Sequence, residues 1–332
     1  MRKLLKRFIP KNILERLQKY RIAYHFKSYT AYDENIFLKH SNILYQDTQS
    51  KHIGKIVLTY HIIEKGLTMP DMRPGFGKER MELLIDECLY YHKNYDKDNT
   101  QFLHALSVIA EYKRVHSENK FNLDAELVRK IDRLLEHTNN IPITEQIKTT
   151  KDAFFSTQNA PFDKFSESRH SVRHFEGKVE SAQINKAVEL AQNAPSACNR
   201  QPTRIHIIEN RELIDKVLEI QKGSRGFGHL ADKLLVVTAN LSGYQSAEER
   251  NCAYVDGGMY AMNLLYALHF NLVASCSLNW CRSPYDDSKM RELVNIPESE
   301  IIILLIACGN VPEEFKLANS KRNPYEEIIK VH

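Results

Sequence analysis

The sequence has no apolar run approaching the ~20 residues of a bilayer-spanning helix, which excludes such a helix. Its six cysteines (Cys88, Cys198, Cys252, Cys276, Cys281, Cys308) form no CxxC pair. That absence argues against a disulfide framework or a structural zinc site and fits a reducing compartment. No metal-ligand set is expected. A formal net charge of +4 over 332 residues is too small to imply a nucleic-acid partner. There is no internal repeat, no low-complexity tract and no dinucleotide fingerprint. Gly223, Gly226 and Gly228 lack the fingerprint spacing and do not sit between a strand and a helix. With 42% hydrophobic and 27% charged residues the chain is globular rather than disordered.

What charge there is sits unevenly. Residues 1–30 carry nine bases (Arg2, Lys3, Lys6, Arg7, Lys11, Arg16, Lys19, Arg21, Lys27) against Glu15 alone. Leu4, Leu5, Phe8, Ile13, Leu14, Leu17 and Ile22 recur among them near helical period. Residues 1–28 therefore read as a basic amphipathic helix. It either rests on anionic lipid or packs its apolar side on the next helix. No secretory signal is evident, so a cytoplasmic protein is expected, with residues 1–28 as a candidate peripheral membrane contact.

At ~100–200 residues per domain the length suits two domains, or one large domain with an appendage. From about 50 to 140 the periodicity is helical: residues 51–67, 78–95, 100–116 and 123–138 each repeat apolar positions at i, i+3, i+4 and i+7. Pro70, Pro74, Gly75 and Gly77 punctuate the first break, Asp98-Asn99 precede the third helix, and Asn122 precedes the fourth. After Pro142 the character changes. Residues 140–165 read as a polar connector. Beyond it, helices at 181–194, 211–221, 251–270 and 283–295 alternate with short apolar strands at 204–209, 234–240, 272–278 and 301–309. Such alternation predicts an α/β or α+β layer with both sheet faces covered. The expected division is a helical region 1–150 followed by a domain 151–332.

The densest chemistry is Ser168-Arg169-His170-Ser171-Val172-Arg173-His174-Phe175. Its guanidinium forks and hydroxyls suit a phosphate or a delocalised anion, although a solvated basic loop has the same composition. After the next helix, Ala194-Pro195-Ser196-Ala197-Cys198-Asn199-Arg200-Gln201-Pro202 sets hydrogen-bonding side chains between two prolines. It is either a polar turn or a loop that reads the heteroatom edge of a flat ring.

Taken together, RHSVRHF, a helix and APSACNRQP resemble the FMN-dependent nitroreductase family pattern R-x-S-x-R/K-x-F, helix, A-P-S-x-x-N-x-Q-P. The resemblance extends over roughly 165–332 through YVDGGMYAMNLLYAL, NLVASCSLNW and ACGNVPEEFKLANSKRNPYEEII. It implies an α+β fold, a three-layer α/β/α sandwich with a mostly antiparallel sheet, here preceded by an all-α region. It also implies FMN as cofactor, NAD(P)H as co-substrate and a homodimer with flavin at the interface. By the same resemblance Arg169, His170, Ser171 and Arg173 lie along the FMN, and Lys321 and Arg322 grip its phosphate. Pro195, Ser196, Ala197, Asn199 and Gln201 belong to the loop that reaches the partner's flavin. Leu278 and Asn279 fall where the family places a backbone N–H near flavin N5, which makes Asn279, with Arg173, the expected catalytic pair. Asn271 and Val273 replace usual glycines, and Thr203 replaces a frequent tryptophan.

A cation near N1 and O2 stabilises reduced flavin, the role expected of Arg173, and no protein nucleophile is needed. His170 and His174 are candidate proton donors, or ordinary hydrogen-bonding loop residues. Residues 223–228 read as a flexible loop near the flavin. Cys276 and Cys281 are either a redox pair or packed small hydrophobes. The helical half is unusual for the family and resembles the extended nitroreductase-like proteins found with bacterial polysaccharide genes. His61, Glu64, Lys65 and Arg73 around its first break are candidate substrate contacts, or merely a helix stop. The expectation is an FMN-dependent oxidoreductase passing hydride through N5 to a small organic substrate. The alternatives are a dehydrogenase oxidising a modified sugar or peptide, and a non-catalytic interaction protein.

Overall fold

The computed structural model describes residues 10–44, 47–138 and 143–332. The basic and apolar residues expected to open the first helix (Arg2, Lys3, Leu4, Leu5, Lys6, Arg7, Phe8) and Pro142 lie outside them.

Helix α1, described over Lys11–His40, runs past the expected end at residue 28, and its described residues are not amphipathic. None of its residues is buried. At 100° per residue, Ile13, Leu17, Ile22, Phe26 and Ile36 point in widely different directions, so no single apolar stripe forms. The helix is held on the C-terminal half by polar contacts. Arg250 grips the Asp33 carboxylate with two bonds of 2.6 Å, and Tyr29 donates to Glu248 at 2.9 Å.

Four helices then build one core: α2 (Gln49–Leu67), α3 (Lys78–Asn94), α4 (Thr100–Glu118) and α5 (Ala125–Glu136). Ile56, Tyr60, Ile63 and Leu67 form the buried stripe of α2, at the spacing the sequence predicts. They meet Leu84, Ile85 and Cys88 of α3, Ile109 and Tyr112 of α4, and Ile131 of α5. Helix α4 is capped by Asn99, whose side-chain Oδ1 accepts from the N–H groups of Gln101 and Phe102. The cap of α5 is Asp124 rather than Asn122, because its carboxylate reaches Glu126 and Leu127 N–H at 3.1 Å. Gly75 and Gly77 adopt left-handed backbone in the bend, and the Phe76 ring lies so close to Gly66 that a Cβ there would clash.

The expected connector is more than a connector. Strand β1 (Ile147–Thr150) pairs antiparallel with β6 (Glu314–Leu317), placing Ile147 opposite Leu317 and Thr150 opposite Glu314. Helices α6 (Lys151–Phe155) and α7 (Phe162–Ser168) follow, and Phe154, Phe155 and Phe165 surround the buried His269 ring. Four-residue strands are too short to show a period in sequence.

The main sheet has the order β2-β3-β5-β4 with every pair antiparallel: β2 (Thr203–Ile208), β3 (Lys233–Asn240), β4 (Ala274–Asn279) and β5 (Glu300–Gly309). Alternation on β3 builds the layers. Leu234 and Val236 pack with Ile214 and Val217 of α9 (Arg211–Gln221) and Met290 of α11 (Pro284–Val294). Leu235 and Val237 pack with Ala187 of α8 (Ser181–Ala191) and Leu264 and Leu268 of α10 (Cys252–Phe270). Helices thus cover both faces, the reason the strands read as near-continuous apolar runs. Gly257 lets α10 approach the sheet, since a Cβ there would stand 2.6 Å from Ile303.

Candidate functional site

Residues 169–176 leave α7 as an extended segment anchored by its backbone. Val172 N–H donates to Ser275 C=O and Glu176 N–H to Asn310 C=O, both at 2.9 Å. Val172 and Phe175 enter the core, while Ser171 and Arg173 line a cleft of about 680 Å³. Lys321 and Arg322 form another wall, and Tyr60, His61 and Gln101 of the helical region a third. The structure therefore gathers Ser171, Arg173, Lys321 and Arg322 with one expected substrate contact, His61.

The charge here is one-sided. Burial depresses the Arg169 guanidinium, and Arg322 acts on it in the same direction. Burial, then the Arg173 charge, likewise depresses Lys65. Among the described residues, none of Lys65, Arg169, Arg173, Lys321 and Arg322 has a carboxylate within ion-pair distance. Among the described residues the buried Arg169 Nε has no hydrogen-bond partner, and Arg173 Nη1 donates to the nearby Ser171 C=O at 3.4 Å. Of the five only Arg173 is buried as a residue, and a buried cation without a counter-charge is costly unless an anion arrives. The donor set fits a phosphate-bearing, electron-accepting group such as FMN.

The arm carrying the basic pair is held by groups absent from the sequence expectations. Gln101 Nε2 donates to Lys321 C=O at 3.2 Å and to the Asn323 side chain, while Tyr60 donates to Gln101. Asn319 N–H reaches Gln146 Oε1 at 2.9 Å, and Glu111 accepts both the backbone and the side-chain N–H of Gln146. Ser320 N–H reaches Glu64 at 3.3 Å. Nothing in the residue types of Gln101, Glu111 or Gln146 marks them out from ordinary helix or loop positions.

Other expected residues lie elsewhere. Glu64 is wholly buried, so it supports the cleft wall from behind rather than facing a substrate. Arg73 is exposed on the bend and does not line the cleft. His170 Nδ1 lies 2.9 Å from Ser168 C=O, and His174 lines a separate cleft with Thr68 and Met69. Leu278 is buried, whereas Asn279 is exposed at the end of the edge strand β4, with its carbonyl accepting from Gln221 at 3.0 Å. The loop at 223–228 is pinned rather than free: Phe227 is buried beside Phe175, and Gly226 lies against Met69. Cys276 is buried and Cys281 exposed, and both are free thiols.

Pro195, Ser196 and Gln201 line a second cleft of about 330 Å³ with Asp256. Cys198, Asn199 and Gln201 all hold left-handed backbone, a costly arrangement for residues with a Cβ. It is maintained by Ser196 Oγ accepting Gln201 N–H at 3.0 Å and by the buried Asp256, which accepts Ala197 N–H at 3.0 Å and the Tyr244 hydroxyl at 2.7 Å. Gln201 Nε2 donates to the Asn199 side chain at 3.2 Å. Asp256 lies inside a helix, where no sequence signal separates it from a surface acid.

Residues 167–225 match the profile of the Nitroreductase family. No curated protein matches the chain. Among solved structures, it is similar to an FMN-dependent nitroreductase from Clostridium difficile at 22% identity, covering 51% of this chain and 96% of that one with a TM-score of 0.42. It is also similar to a nitroreductase family protein from Streptococcus pneumoniae at 22% identity, covering 52% and 100% with a TM-score of 0.45. The residues that match the family profile, 167–225, run from the cationic cleft through the second loop.

Proposed function

We propose that the protein is an FMN-dependent oxidoreductase, working as a homodimer, that uses NAD(P)H to reduce a small organic substrate. The observation that carries this reading is the convergence of Lys65, Arg169, Arg173, Lys321 and Arg322 without an acid partner among the described residues. Arg169, Ser171, Arg173, Lys321 and Arg322 hold the cofactor's anionic groups. When bound, FMN supplies a two-electron carrier that takes and passes on a hydride at N5. Arg173, 8% exposed, keeps a positive charge where solvent screens it little and favours the reduced, anionic ring.

A dimer is supported by the separation of the two loops. Within one chain, Ser171 and Arg173 face one cleft, while Ser196 and Gln201 face another. A second copy would let the second loop complete the first cleft. Tyr254, Val255, Met259 and Met262 leave an exposed apolar face on α10.

The absorbance spectrum of freshly purified protein is the direct test, followed by anaerobic titration. The expected result is a yellow protein whose flavin bands bleach with NADH or NADPH. Bleaching only by an organic donor would reverse the direction of hydride flow. A colourless protein that takes up no added FMN would overturn the reading.

A further inference from the structure

The helical region also brings a titratable ring to the cleft. Of the three histidines near the motif, His170 and His174 turn elsewhere, and His61 lines the cleft beside Ser171, Arg173 and Arg322. Its side chain is 35% exposed. Nδ1 lies 3.0 Å from Glu64 Oε2, and Nε2 has no partner among the described residues.

Glu64 is 0% exposed, and its other oxygen lies 2.6 Å from His104 Nε2. Burial pushes its carboxyl up, yet the hydrogen bonds from His104 and His61 outweigh that, so it sits below the ordinary carboxylate value. An ionised carboxylate only accepts, so the His61 nitrogen it holds carries a proton. The ring is therefore fixed with Nδ1 toward the protein and Nε2 available. The groups around it are Tyr60 and Glu64 on α2, His104 and Gln101 on α4, Arg173, and the Ser320–Arg322 arm.

We infer that His61 Nε2 is the proton donor to substrate in this cleft, with Glu64 as its positioning residue; this rests on the proposed oxidoreductase reading. Reducing a polarised double bond takes one hydride equivalent and one proton. The hydride, originating from a nicotinamide donor that leaves oxidised, forms one new bond, and the π pair moves to the other atom. That atom takes the proton from His61 Nε2. The N–H pair stays on the ring: Nε2, on a side chain partly open to solvent, takes a proton from water to form the imidazolium, which on donation returns to neutral imidazole with Nδ1–H still donated to Glu64.

The test compares wild type, His61→Gln and Glu64→Gln with two acceptors. p-Benzoquinone takes up protons on two-electron reduction, whereas ferricyanide accepts one electron and none. His61→Gln should lose roughly 10²-fold with the quinone and less than about twofold with ferricyanide. FMN affinity, read by fluorescence titration, should stay unchanged. Nitrogen-15 spectra of the free wild-type chain should show His61 protonated at Nδ1. Glu64→Gln should lose that signature, because one amide oxygen cannot serve both histidines. Equal losses with both acceptors, an unchanged quinone rate, or a His61 protonated only at Nε2 would overturn the donor role. A wild type that takes up no FMN would instead bring down the oxidoreductase reading, and the donor role with it.

Discussion

Gln101 Nε2 donates to the backbone carbonyl of Lys321 at 3.2 Å, joining helix α4 to the basic arm across 220 positions of chain. The helical region thereby shapes the cationic cleft rather than merely preceding it. Gln101→Ala removes this bond and those to Asn323 and Tyr60. At about 0.5–1.5 kcal/mol per hydrogen bond, FMN affinity should fall about tenfold with Arg173 and Lys321 untouched. Fluorescence titration with FMN measures it, and an unchanged affinity would show that the arm holds itself.

Arg173 predicts effects of opposite sign on binding and stability. Arg173→Met should weaken FMN binding by about 1.5–3 kcal/mol, the range of a charge-assisted hydrogen bond. The same change removes a charge that repels Lys65 in the free chain. The cofactor-free variant should therefore unfold at higher urea concentration than wild type. A variant that binds less tightly and is also less stable would contradict the unpaired-cation account.

His269 should make stability depend on pH. Burial first, then the charges of Arg169 and His170, bring its pKa down to about 4 from an ordinary 6.5. Below pH 6.5 the unfolded chain binds a proton that the folded chain refuses until pH approaches 4, so stability falls with acidification across that window. The contribution is up to about 3 kcal/mol. His269→Gln should flatten the curve between these limits in urea melts at stepped pH. The Ser168 hydroxyl, 3.0 Å from His269 Nε2, would then face the amide.

Ile109, 0% exposed, stands at the centre of the helical core. Ile109→Ala should cost about 2–5 kcal/mol, measured by chemical denaturation. An exposed apolar residue of α1, such as Leu17 at 56%, should cost less than about 0.5 kcal/mol on the same change.

Much of this architecture is local and was legible. The stripe Ile56, Tyr60, Ile63, Leu67 follows from spacing alone, as do the apolar runs that became β3 and β5. The motif around Ser171 and Arg173 was readable because its donors lie together in the chain. The strand β6 was not, since residues 314–317 are only four and gain their hydrogen bonds from a segment over 150 positions away. The apolar residues of α1 recur near a helical period, yet their directions around the helix disagree, so spacing alone does not make a stripe there.

Sequence alone determined the longer helices, the apolar strands of the main sheet and which residue types crowd the motif, because backbone periodicity and short-range polarity act between near neighbours. Tertiary structure decided that Glu64 is buried between His61 and His104, and that its carboxylate also takes Ser320 N–H from 256 positions away. It likewise decided that the two motif loops of one chain face different clefts. Such placements depend on which surfaces meet when apolar faces are buried, and no pattern within a dozen residues encodes that.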